Sequence, residues 1–189
     1  MVPYNISNNI GIGNFSSSTA SFDIEGNIMS LLYKNNFIGQ TDLTGKDYVF
    51  QNLFKNTNCV DTENLILAAT TLSVSCYFCM FNSCTNLTTA PVLPATILKG
   101  TCYAGMFQAC SSLTIPPVLP ATTLDTECYL SMFNGCTSLT TAPVLPATTI
   151  YRNCYDQMFN GCTSLTTAPV LPATTLLNYC YNRMFRNSI

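Results

Sequence analysis

Cys76, Cys102, Cys128, Cys154 and Cys180 recur every 26 residues, and each is followed by Tyr. Cys84, Cys110, Cys136 and Cys162 form a second column with the same step. Met80-Phe81, Met106-Phe107, Met132-Phe133, Met158-Phe159 and Met184-Phe185 form a third. The unit reads most fully over 128–153: Cys-Tyr-x-x-Met-Phe-Asn-Gly-Cys-Thr-Ser-Leu-Thr-Thr-Ala-Pro-Val-Leu-Pro-Ala-Thr-Thr, then a variable stretch. A period of this length without insertions dictates stacked, similar rungs, because one added residue would move every later side chain out of its column. A degenerate copy precedes the regular ones. Phe50-x-x-Leu53-Phe54 echoes Tyr-x-x-Met-Phe, and Leu67-Ala68-Ala69-Thr70-Thr71-Leu72 echoes Leu-Pro-Ala-Thr-Thr-Leu.

The spacing within a rung predicts local structure. Leu139-x-x-Ala142-x-Val144 follows the leucine-rich pattern Leu-x-x-Leu-x-Leu, with one short strand per rung adding to a parallel sheet. Pro91, Pro117, Pro143 and Pro169 lack an N–H and so end regular pairing. Strands of three or four residues are therefore expected on Leu-Thr-Thr-Ala, followed by an extended, polyproline-like Val-Leu-Pro-Ala-Thr-Thr. Cys-Tyr-x-x-Met-Phe places apolar groups at i, i+1, i+4 and i+5, which suits one helical turn on the opposite side. Asn134-Gly135 and Asn160-Gly161 are turn dipeptides that close it.

Met-Phe-x-Gly-Cys-Thr-Ser-Leu followed by Ala-Pro-Val-Leu-Pro-Ala-Thr-Thr resembles the BspA-like leucine-rich repeats of bacterial surface proteins. Phe133-x-x-Cys136-x-x-Leu139 and Phe159-x-x-Cys162-x-x-Leu165 match the Phe-x-x-Cys-x-x-Leu core of that family. The likeness covers roughly residues 48–189. The unit here is longer than the usual family repeat, and its two prolines look like a variant of gut-anaerobe proteins and their phages. The resemblance implies a solenoid used for adhesion or recognition, with no catalytic residue to transfer.

The fold class expected is thus a leucine-rich-repeat solenoid. Short parallel strands lie on one face, helical turns or irregular coil on the other, and an amino-terminal cap closes one end. Residues 1–47 lack the repeat and are read as that cap, since an open end exposes core and strand edges; the alternative is the remnant of an upstream β module. Ser16-Ser17-Ser18-Thr19 reads as a polar loop, Ala20-Ser21-Phe22-Asp23-Ile24 as a strand and Ile28–Tyr33 as an apolar helical turn. Residues 48–189 form the array, with a degenerate first rung at 48–75 and regular rungs from 76. The unfinished last rung gives an open edge that a second copy or further sequence is expected to cover.

Composition narrows the function. Seven Lys+Arg against nine Asp+Glu, a formal charge of -2, argue against a nucleic-acid partner, which needs a basic stripe. The chain has no His, the commonest general base and metal ligand. Ser and Thr abound without an activating base. Gly11-x-Gly13 has no following lysine for a phosphate loop. Cys76-x-x-Cys79 occurs once, its later counterparts being Gly105, Ser131, Gln157 and Arg183, so Cys79 reads as a variable surface position short of zinc ligands. Eleven Cys in columns read as a ladder of buried thiols filling space, because a sulfur in a continuous column can bond only once. No catalytic residue, metal or cofactor is expected, and no stretch is long and apolar enough to insert in a membrane. Met1-Val2-Pro3-Tyr4-Asn5-Ile6-Ser7 is not a secretory signal, so the chain is read as cytoplasmically made or as part of something longer.

Binding remains. The tyrosine column buries rings in the core or forms an aromatic stripe that meets a ligand. Rungs differ mainly at 98–101, 124–127, 150–153 and 176–179 and at the pair after Cys-Tyr. The candidate binding face is therefore Tyr103, Tyr129, Tyr155, Asp125, Glu127, Tyr151, Arg152, Asp156, Gln157 and Arg183. The reading that follows is a non-enzymatic recognition or adhesion module for protein or glycan, at a cell surface or secreted. The alternative is a structural or fibre component of a phage virion.

Overall fold

A 26-residue step means that a residue of one rung meets its own counterpart in the next, and the backbone uses this. The computed structural model describes residues 20–188; the polar loop at 16–19, the amino-terminal start and Gly11-x-Gly13 lie outside them. Within 127–136, alternate N–H groups point in two directions. Those of Glu127, Tyr129, Ser131, Phe133 and Gly135 donate to carbonyls of Arg152, Cys154, Asp156, Met158 and Asn160 in the next rung, at 2.8–3.1 Å. Those of Leu130, Met132, Asn134 and Cys136 donate three residues back along the same rung, at 3.0–3.2 Å. The same alternation runs through 48–57, 75–84, 101–110 and 153–162.

This replaces the expected helical turn with a ribbon of overlapping turns. A helix directs every N–H back along its own segment; here half of them tie rungs together. Turning the chain back every four residues demands positive φ at the third residue of alternate turns. Glu127 (φ 60°), Ser131 (53°) and Gly135 (78°) supply it in one rung, and Asn153 (56°), Gln157 (55°) and Gly161 (75°) in the next. Asn134-Gly135 and Asn160-Gly161 thus close turns through their glycines.

The strands are fewer and shifted. Short parallel pairs join β1 (Phe22–Asp23) to β3 (Cys59–Asp61), β2 (Gly26–Asn27) to β4 (Leu65–Ile66), and β5 (Thr149–Ile150) to β6 (Thr175–Leu176). Single parallel bridges link Thr71 to Ile97 and Ile97 to Thr123. Pairing therefore favours the Thr-Thr after the second proline over the expected Leu-Thr-Thr-Ala. There, only isolated bonds such as Thr140 N–H to the Thr114 carbonyl (3.2 Å) survive, because a proline two or three residues on cuts the ladder short. Helix is limited to α1 (Ser30–Tyr33) and a 3₁₀ turn at Lys34–Asn36, and no closed barrel forms among the described residues. Residues 20–28 bond to the carbonyls of Asn58, Asp61, Asn64 and Ile66, and Ile28, Met29 and Leu43 are buried in the common core.

The interior is a set of rows. Phe54, Phe81, Phe107, Phe133, Phe159 and Phe185 stack with centroids 5.5–5.8 Å apart. Phe50, Tyr77, Tyr103, Tyr129, Tyr155 and Tyr181 form a parallel stack at 5.5–6.2 Å. Met132, Cys136 and Leu139, with their counterparts in the neighbouring rungs, fill the space between. Val144 does not join them. It is 80% exposed while Leu145 is 1% exposed: the chain is extended between bends at Thr141 and Thr148, so successive side chains take opposite faces.

Candidate functional site

Placement of the candidate residues divides them into three groups. Tyr103, Tyr129 and Tyr155 are each 1% exposed and lie in the ring stack, so of the two alternatives for this column the rings take the core and do not form a ligand-facing stripe, and they drop out of the candidate binding face. Each ring is flanked by two others along the column, and its position four residues before a buried Phe turns both rings inward. The hydroxyls of Tyr77 and Tyr155 are buried without a hydrogen-bond partner among the described residues. Burial pushes the phenol pKa of all four up.

Asp125, Glu127, Tyr151 and Arg152 sit at the corner where each rung enters its turn ribbon. Asp125 and Arg152 are exposed, Tyr151 is 44% exposed and Glu127 is half-buried. The structure brings Asp125 and Tyr151 together on a shallow depression of about 310 Å³, lined also by Ile97, Leu98, Lys99, Thr123 and Leu124. Lys99 stands out here as a residue that the candidate face omitted, although it falls in a variable stretch. Glu127 faces a different group: its Oε1 accepts from Asn153 Nδ2 at 3.1 Å.

Asp156, Gln157 and Arg183 lie further along, on the outer side of the turn ribbon, and do not join the depression. Asp156 Oδ1 accepts from Asn182 Nδ2 at 3.1 Å. Glu127 and Asp156 are thus each tied to an asparagine of the following rung. Gln157 and Arg183 hold positive φ in the same column as Cys79, Gly105 and Ser131. Cys79 is 7% exposed, contrary to the expectation of a surface position. Its Sγ lies 2.7 Å from where a Cβ on Gly105 would stand, so the thiol occupies the space that the glycine leaves.

All eleven thiols are free and buried. They do more than fill space. Cys84, Cys110, Cys136 and Cys162 point Sγ at the carbonyls of Phe54, Phe81, Phe107 and Phe133 in the preceding rung, at 3.0–3.1 Å. In the last rung Ser188 takes the equivalent place and its hydroxyl donates to the Phe159 carbonyl. A position filled by S–H or O–H, aimed each time at the same carbonyl, is a donor position. Cys136→Ser should accordingly stay within about 1 kcal/mol of the parent, whereas Cys136→Ala should lose about 1–2 kcal/mol more by leaving the carbonyl with one donor fewer. Urea unfolding of both variants checks this, and an alanine variant more stable than the serine one would refute the donor role.

Burial pushes the Cys76 thiol up to about 12, and those of Cys110 and Cys136 also well up. Such thiols are poor nucleophiles and poor metal ligands at neutral pH. No group of three or more Cys, Asp or Glu is arranged to hold a metal ion among the described residues, and none of their helices is long and apolar enough to cross a membrane. Comparison with protein-family models, curated proteins and solved structures yields no match.

Proposed function

We propose that the chain is a leucine-rich-repeat solenoid of the BspA-like kind, with turn ribbons in place of helices, and that it acts as a non-enzymatic recognition or adhesion module for protein or glycan. The observation that carries this reading is the corner built from 98–101, 124–127, 150–153 and 176–179. Side chains there change from rung to rung on a scaffold that otherwise repeats itself. Exposed Asp125, Tyr151 and Lys99 border the depression. A rigid periodic frame with a variable rim suits recognition, because the frame adds no ordering cost when a partner binds. The reactive residue types are either buried, as the thiols are, or lack an activating neighbour, as the exposed threonines do.

The test is binding to a glycan array and to a displayed peptide library by the parent and by Lys99→Ala/Asp125→Ala/Tyr151→Ala. Binding that is lost in the triple variant supports the corner as the recognition site. Binding unchanged by it, or none by the parent, counts against the reading. A second reading is a virion component. It is favoured by a core of eleven free thiols, which suits assembly in a reducing cytoplasm better than export through an oxidising compartment. On that reading the protein is found in purified particles rather than at a cell surface.

A further inference from the structure

The most exposed repeating feature is apolar. Val92, Val118, Val144 and Val170 are 74, 77, 80 and 83% exposed, and they stand in one column because they are 26 residues apart. The prolines two residues on, Pro94, Pro120, Pro146 and Pro172, are half-exposed beside them. Segments 85–98, 111–124, 137–150 and 163–176, which carry this column, contain no charged residue. The charges of the regular rungs lie instead at the corner and on the ribbon, at Lys99, Asp125, Glu127, Arg152, Asp156, Arg183 and Arg186, while Asp61 and Glu63 belong to the degenerate first rung. A surface of four rungs that is free of charge and led by valine is an apolar patch of the size that often marks a contact site.

We propose that this valine–proline face is the contact between two copies of the chain, related by a two-fold axis perpendicular to it, with the valine columns interleaved. Three features select a second copy as the occupant. The pitch of the column is set by the rung spacing, so a second copy matches it at every rung, and the valine row of one copy can lie in the groove beside the valine row of the other, as side-chain rows do in interdigitated sheet contacts. A self-complementary patch gives a closed, isologous pair. The face is neutral, so the net charge of -2 on each copy sets up no opposition at the contact. At about 100 Å² per valine side chain the column alone supplies roughly 300 Å² per copy, and the adjoining prolines, alanines and threonine methyls bring it toward the roughly 800 Å² per partner of a specific interface. The valines themselves do not line the recognition depression, so substitutions at Val118 and Val144 test the pairing without altering the proposed ligand site.

Sedimentation velocity on the full chain tests it. The parent should move from the chain mass to twice that mass as concentration rises. Val118→Lys/Val144→Lys and Val118→Glu/Val144→Glu should each weaken association at least about a hundredfold, because like charges then meet across the axis. An equimolar mixture of the two should restore the pair. Far-UV circular dichroism should match the parent, as these side chains face solvent; if a charged variant misfolds, Val118→Thr/Val144→Thr should keep the fold and still weaken association. Leu177→Lys, on the last rung, should leave the pair intact. A parent that is monomeric at every concentration, charged variants that still pair by themselves, or loss of pairing only with Leu177→Lys would overturn the proposal.

Discussion

Replacing Phe133 by alanine should cost about 3–5 kcal/mol of stability, the range for deleting a fully buried ring, while Phe185→Ala should cost about 1 kcal/mol. Both residues belong to one stack, but their neighbours differ. Phe133 is 0% exposed and lies between Phe107 and Phe159, each 5.8 Å away. Phe185 is half-exposed and has a single ring neighbour, Phe159. The central substitution removes two aromatic pairs, each adding about 0.5–1.5 kcal/mol beyond area, and leaves a gap that neighbouring rungs cannot close without breaking their hydrogen bonds. Because each rung touches only the next, the loss also uncouples the two halves of the array. Chemical denaturation followed by circular dichroism should show a lower midpoint and a broadened or two-step transition for Phe133→Ala only. Equal effects at the two positions would mean that the stack does not act as a single row.

The contrast shows what was legible before any coordinates. Phe133, Met132, Cys136 and Leu139 declare their burial by recurring at a fixed step, since a column that repeats without insertion has to face the same way in every rung. The tyrosine column declared its regularity but not its side, because a phenol is apolar in its ring and polar at its tip. Packing decided it: a ring four residues from the phenylalanine and turned inward completes a second stack. Val144 and Leu145 are adjacent and chemically alike, so only the direction of an extended chain between two prolines distinguishes them. The turn ribbon was least legible. Its positive-φ positions are held by Glu127, Gln157, Arg183 and even the β-branched Thr101, residue types that avoid this conformation by about 1–2 kcal/mol each. Local preference argues against the ribbon; the inter-rung hydrogen bonds override it, and they become visible only once rungs are stacked. The candidate corner was legible through its variation, whereas the depression that brings Lys99 together with Asp125 and Tyr151 depends on the neighbouring rungs.

Alkaline solution should unfold the protein cooperatively at about pH 10–11. Burial raises the thiol pKa of Cys76 to about 12 and raises those of Cys110 and Cys136 as well. That of Cys128 is raised first by the neighbouring Cys102 thiol, with burial adding to it. In the unfolded chain these thiols ionise near their ordinary value of 9. Below pH 9 both states keep the proton and no stability is lost. Above it the unfolded chain releases protons that the folded one retains, so stability falls as pH rises toward the folded values. Each such group loses about 1.4 kcal/mol per pH unit. Cys76 alone, held up to about 12, removes roughly 3 kcal/mol over two units, and Cys110, Cys128 and Cys136 act in the same direction, a substantial share of the about 5–15 kcal/mol of an ordinary domain. The buried phenols of Tyr77, Tyr103 and Tyr129 are held up in the same way and sharpen the transition. Tyrosinate absorbance and alkylation of the thiols by iodoacetamide should therefore appear together with the loss of circular dichroism, in one step. Gradual ionisation of tyrosine and early alkylation in a chain that keeps its secondary structure would show that water reaches the columns, and the row-by-row packing of the interior would have to be abandoned.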